Sequence, residues 1–144
     1  MSHKVLVVDD DPDVLLLCRV NLEFEGYEVI EAANGQEGLR RLREGRPDVV
    51  LLDVMMPGKD GWQVLEEIKD DEDLAHVPVV MLTAKVQDQD QFRGWSQGAA
   101  EHITKPFSPL SLSQVLSDVL ATDPDEEERR RALVLEKLPL LQRP

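Results

Sequence analysis

Val5-Leu6-Val7-Val8 runs without a break into Asp9-Asp10-Asp11-Pro12. A strand with one solvated face alternates apolar and polar residues. A continuous apolar run instead marks a strand buried on both faces, as in a parallel sheet covered by helices. The same pattern returns at Val49-Val50-Leu51-Leu52, which ends in Asp53, and at Val79-Val80-Met81-Leu82, which ends in Thr83. Weaker runs lie at Tyr27–Ile30 and Glu101–Thr104, the second leading into Lys105-Pro106. Five strands are therefore expected, three of them central.

Helical segments fill the intervals. Asp11 caps a first helix with Pro12 in its first turn, and Val14, Leu15, Cys18 and Leu22 share one face up to a stop at Gly26. Asn34 and Glu37 have the spacing of a capping box, with Leu39 and Leu42 inward and Gly45 as terminator. Asp60 opens a third helix carrying Leu65 and Ile68. A fourth, Val86–Gln97, has only Phe92 and Trp95 as large anchors. Ser108 opens a fifth with the stripe Leu112, Val115, Leu116, Val119. Alternating strands and helices with right-handed crossovers give an α/β, (βα)5 doubly wound sheet of flavodoxin-like type, order 2-1-3-4-5.

Composition agrees with one soluble domain and narrows its partners. The 144 residues are 42% hydrophobic and 31% charged, and 29 acids against 16 bases leave a net charge of −13. Such acidity argues against direct DNA binding, which needs a basic face. No apolar run approaches the ~18 residues of a membrane span, and residues 1–10 do not resemble a signal peptide, so a cytoplasmic protein is expected. One cysteine and three scattered histidines argue against a disulfide or a zinc cluster. Residues 1–122 form the expected domain. Residues 123–144 form a short C-terminal helical extension: Asp123-Pro124 starts it, and Glu126/Arg130 and Glu127/Arg131 make i,i+4 pairs.

In a doubly wound sheet, ligands bind beyond the carboxyl ends of the strands, where strand order reverses. That point lies between strands 1 and 3, and the acids Asp9, Asp10 and Asp53 converge on it. Carboxylates that close repel, and a cation or protonation must relieve them. Hard oxygen donors with positions left open select Mg²⁺, with Mn²⁺ or Ca²⁺ as substitutes. Asp11 and Asp60 read as helix caps. Thr83 and Lys105 end strands 4 and 5 at the same edge, so a hydroxyl and an ammonium join the acids in a phosphoryl-binding set.

Leu6–Pro12 (LVVDDDP), Leu51–Gly61 (LLDVMMPGKDG), Met81–Ala84 (MLTA) and Lys105–Phe107 (KPF) together resemble the receiver domain of two-component response regulators, over about residues 3–121. The resemblance implies that Asp53 accepts a phosphoryl group from a histidine kinase or phosphotransfer protein. It implies that Asp9, Asp10, Asp53 and the backbone carbonyl of Met55 hold Mg²⁺, that Thr83 is the switch hydroxyl, and that Lys105 pairs the phosphate. It also implies a cis peptide before Pro106. Where receivers carry Tyr or Phe three residues before the lysine, this chain has His102, either an exposed imidazole or a variant switch residue.

A receiver signals without being an enzyme, beyond self-phosphorylation and slow self-dephosphorylation. With only 22 residues from Asp123 to Pro144, a stand-alone receiver is expected, acting through protein–protein contacts. A downstream target or a second copy would meet the Val86–Ala121 face, and the tail packs on its own domain, dimerises or docks a partner. Two other readings stay open on the residues alone. One is a hydrolase with Asp9 as nucleophile and Asp11 as acid/base; the other is a scaffold that keeps the fold without phosphorylation.

Overall fold

A computed structural model describes residues 3–84 and 98–121. The fourth expected helix, Val86–Gln97, and the extension 123–144 lie outside the described residues. Five parallel strands, β1 (Lys4–Val8), β2 (Glu28–Ala32), β3 (Val49–Asp53), β4 (Val79–Thr83) and β5 (Glu101–Thr104), form one sheet in the order β2-β1-β3-β4-β5. The described helices are α1 (Pro12–Phe24), α2 (Gly35–Gly45), α3 (Gly61–Asp70) and α4 (Pro109–Ala121).

Strand pleating divides the apolar runs between two cores. Leu6, Val8, Val50, Leu52, Val79 and Met81 join Leu39 and Leu42 of α2 and Trp62, Val64, Leu65 and Ile68 of α3. Val5, Val7, Val49, Leu51, Val80 and Leu82 join Cys18 and Leu22 of α1 and Leu112 and Leu116 of α4. Continuous apolar runs are thus what a sheet covered on both faces requires. Cys18 is one of these core residues, and burial, with the nearby Asp9 charge, pushes its thiol pKa up to about 12.

Helix ends follow side-chain chemistry. Asp11 accepts from the Asp13 N–H at 2.9 Å and so caps α1, and Ser108 Oγ accepts from the Ser111 N–H at 3.1 Å at the start of α4. Two local expectations need correction. Strand β2 begins at Glu28 and not Tyr27, because the Tyr27 N–H bonds back to Leu22 O at 3.0 Å and closes α1. The complete capping box is Asp60–Gln63, at 2.9 and 3.0 Å, whereas at Asn34 the side chain accepts the Glu37 N–H while the Glu37 carboxylate lies 3.7 Å from Arg41. Helix α2 ends at Gly45 as expected, and the left-handed residue that follows it is Arg46, with φ 48°. A Cβ at Gly45 would come within 2.6 Å of Ile30 Cδ1, the end of a side chain on β2 that can shift.

Candidate functional site

Strand register builds the site. Val8 pairs with Leu52, so Asp9 and Asp53 leave neighbouring strands at the same level. Asp53 pairs with Leu82, and Thr83 pairs with Thr104, which places Thr83 and Lys105 on the same rim. Four polar groups separated by most of the chain therefore meet at the carboxyl edge of β1, β3, β4 and β5. One carboxylate oxygen from each of Asp9, Asp10 and Asp53 lies within 4.8 Å of the other two.

The two adjacent aspartates differ sharply. Asp9 is fully buried and Asp10 is exposed. Asp9 is held on both oxygens: Oδ1 accepts the Asp11 N–H at 2.9 Å, and Oδ2 accepts Lys105 Nζ at 2.6 Å. Asp53, the last residue of β3, is 4% exposed. Its Oδ1 accepts Lys105 Nζ at 3.2 Å and the Met55 N–H at 3.4 Å. The ammonium thus stands between the two buried carboxylates.

One cation does not cancel two buried anions. Burial and the charge of Asp9 raise the Asp53 pKa to about 6, although Lys105 and the Met55 N–H pull it down. Burial alone would lower the Lys105 pKa, but the hydrogen bond to Asp9 and the charges of Asp53 and Asp9 outweigh it and raise the value. Thr83 is also only 4% exposed, and its Oγ1 has no hydrogen-bond partner among the described residues. A buried hydroxyl without a partner costs ~1–3 kcal/mol and is ready to donate to an incoming acceptor.

Neighbouring backbone keeps this edge tight. The Gly61 N–H donates to Val54 O at 2.9 Å, and a Cβ on Gly61 would collide with the Asp53 carbonyl. Only glycine lets the start of α3 approach the end of β3 this closely. No periodicity signals this role, which is visible only within the run Leu51–Gly61. The Lys105 N–H donates to Thr83 O at 2.6 Å, and the Lys105–Pro106 peptide is cis. Met55 projects a side chain that is 72% exposed. His102 sits on β5 opposite Met81, and both ring nitrogens are shielded from solvent. It is therefore not an exposed imidazole; with Ile103, Phe107 and Val115 it lines a cavity of about 300 Å³.

The donor set fits a hard divalent ion, because three carboxylates converge and exposed Asp10 carries no committed contact among the described residues. The hydrolase arrangement fits poorly. Asp11 is occupied as a helix cap, and Asp9 is enclosed with both oxygens engaged.

Comparison with known proteins agrees with this geometry. The family model of the response regulator receiver domain matches residues 5–117. The chain belongs to the response regulator receiver family. This receiver is 36% identical over 118 residues to Protein PilH of Pseudomonas aeruginosa, covering 82% of the chain and 98% of that protein. It is 38% identical over 120 residues to the alkaline phosphatase synthesis transcriptional regulatory protein PhoP of Bacillus subtilis, covering 83% of the chain and 49% of PhoP. The receiver thus spans about half the length of the curated transcriptional regulator PhoP. Its fold superimposes on the chemotaxis response regulator CheY4 of Vibrio cholerae with a TM-score of 0.79 at 32% identity, covering 83% of the chain and 99% of CheY4. A CheY-like receiver domain protein from Methanospirillum hungatei gives 0.77 at 29% identity, over 90% and 99% of the two chains. Among the described residues no helix is long and apolar enough to cross a membrane.

Proposed function

We propose that this receiver is a phosphorylation switch in which Asp53 accepts a phosphoryl group from the phosphohistidine of a histidine kinase or phosphotransfer protein, in the cytoplasm. The observation that carries the reading is the position of Lys105 Nζ, 2.6 Å from Asp9 and 3.2 Å from Asp53, on the rim that also holds Asp10 and the Thr83 hydroxyl, which has no hydrogen-bond partner among the described residues. An Asp53 carboxylate oxygen attacks phosphorus, the new P–O bond forms as the P–N bond breaks, and the imidazole leaves with the electron pair and takes up a proton. Lys105 pairs with the phosphoryl oxygens, and Asp9 holds Lys105 in place.

Asp9, Asp10, Asp53 and the Met55 carbonyl are the proposed holders of Mg²⁺, with Mn²⁺ or Ca²⁺ as substitutes. When bound, the ion supplies neutralisation of the carboxylates and of the incoming phosphoryl oxygens. Transfer leaves an acyl phosphate whose oxygens take the Thr83 hydroxyl as donor. Moving a two-state equilibrium from 1:99 to 99:1 requires ~5.5 kcal/mol. Two hydrogen bonds to a charged acceptor, at ~1.5–3 kcal/mol each, supply much of that. The shift is then read by a downstream protein, with His102 moving on β5 as the variant switch residue.

Incubation of the chain with acetyl phosphate and Mg²⁺, followed by mass spectrometry, tests the assignment. One acid-labile phosphoryl group is expected on Asp53, and none on the Asp53→Asn protein. Label that persists on that variant, or that maps to Asp9, defeats it.

A further inference from the structure

A cavity of about 550 Å³ opens at the amino ends of β3 and β4, across the sheet from the Asp53 rim. One wall is the end of α2 with residues 46–48, and the other is residues 71–77, which follow α3. Its volume lies within the ~300–1,000 Å³ of small-molecule sites. Buried Leu42, Leu74 and Val77 form an apolar base. Both walls are tied down by lysines. Lys4 Nζ donates to Gly45 O at 3.3 Å, and Lys69 Nζ donates to Ala75 O at 3.0 Å.

Charges around the mouth decide what fits. Arg43 and Asp71 answer each other at 3.7 Å, and Asp48 accepts the Lys4 N–H at 2.7 Å. The Arg46 and Asp73 side chains line the cavity with no ion pair among the described residues. Exposed Asp70 and Glu72 stand nearby without lining it, so a plain anion would meet repelling charge. A plain cation would leave the Arg46 guanidinium unanswered. What remains to be matched is one charge of each sign above an apolar base. Arg46 also holds a left-handed backbone, with φ 48°, which residues other than glycine seldom adopt and which recurs at ligand sites. His76 lines the mouth as well and adds a hydrogen-bonding group.

We propose that this cavity binds a small zwitterion with an aliphatic side chain, of the α-amino acid class. Its carboxylate meets Arg46, its ammonium meets Asp73, and its apolar body covers Leu42, Leu74 and Val77. A guanidinium fork matches a carboxylate in shape and charge, and apolar burial adds to the contact. The site needs neither Asp53 nor a divalent ion.

Amide NMR of the intact chain titrated with L-leucine, with divalent ions chelated, tests this. Saturable shifts centred on residues 42–48 and 71–77 are expected, with a Kd of ~1 mM for so small a ligand. N-acetyl-leucine lacks the cation and leucinamide lacks the anion, so each should bind about tenfold more weakly. Arg46→Gln should remove the preference for leucine over leucinamide. Asp73→Asn should remove the preference for leucine over N-acetyl-leucine. Both side chains are exposed, and melting curves check that the variants fold. The Asp53→Asn protein should bind leucine as the wild type does, which separates this site from phosphoryl transfer. No saturable shift at those residues, shifts centred on Asp53, or equal binding of the three compounds overturns the proposal. Preferences that survive in the two variants overturn it too.

Discussion

Leu52 and Asp53 are neighbours on β3 with nearly equal exposure, 0% and 4%, and they sit in opposite environments. Leu52 is surrounded by apolar side chains of the core under α2 and α3. Asp53 faces a second buried carboxylate across one shared ammonium. The same step separates Val8 from Asp9 and Leu82 from Thr83. Within one residue the sheet passes from packing that stabilises the fold to polar groups whose burial opposes it. The apolar layers therefore carry the stability, and the carboxyl edge holds charge and a hydroxyl that has no partner among the described residues.

The contrast can be broken first at the apolar layer. Leu65 is fully buried in the core of α3. Leu65→Ala should cost ~2–5 kcal/mol in denaturant unfolding, the loss expected for a core leucine that leaves a cavity. A cost near zero would mean that the layer is not the source of stability.

A smaller effect of opposite sign is expected at the edge. The Asp53 pKa rises from 3.8 unfolded to about 6 folded, so the folded state favours the neutral acid. The stability associated with that neutral form is complete below pH 3.8 and is lost as pH rises through about 6. With divalent ions chelated, Asp53→Asn should therefore stabilise the protein by ~2–3 kcal/mol at pH 8. The gain should shrink towards zero near pH 4. Thermal melts across that range check the sign, and a destabilised variant at pH 8 would show that the edge is fully compensated by Lys105. The smallest effect is local. Asp60→Ala removes the cap of α3 and should cost ~1 kcal/mol without altering the pH dependence set by Asp53.

Much of the site was legible because the groups sit at strand ends. Asp9, Asp53, Thr83 and Lys105 each follow an apolar run, and parallel strands bring all such ends to one rim. Helix caps were legible at Asp11 and Ser108 for the same local reason. Other features were not. That the left-handed turn after α2 falls on Arg46 and not on a glycine has no local signal. Trp62 and Val64 join the core of α3 although only Leu65 and Ile68 stood out in the sequence. His102 reads as an exposed imidazole or as a variant switch residue, and only the tertiary structure shows that its ring nitrogens are shielded from solvent.

The amino-acid sequence alone determined the strand and helix alternation, the burial of three strands on both faces, and the set of side chains that end them. These are properties of short segments, governed by periodicity and capping. Tertiary structure alone decided that Asp9 is enclosed while Asp10 meets solvent, that Gly61 abuts the Asp53 carbonyl, and that Lys105 bridges residues 96 and 52 positions away. Those outcomes depend on strand register and on distances between elements that no local pattern encodes.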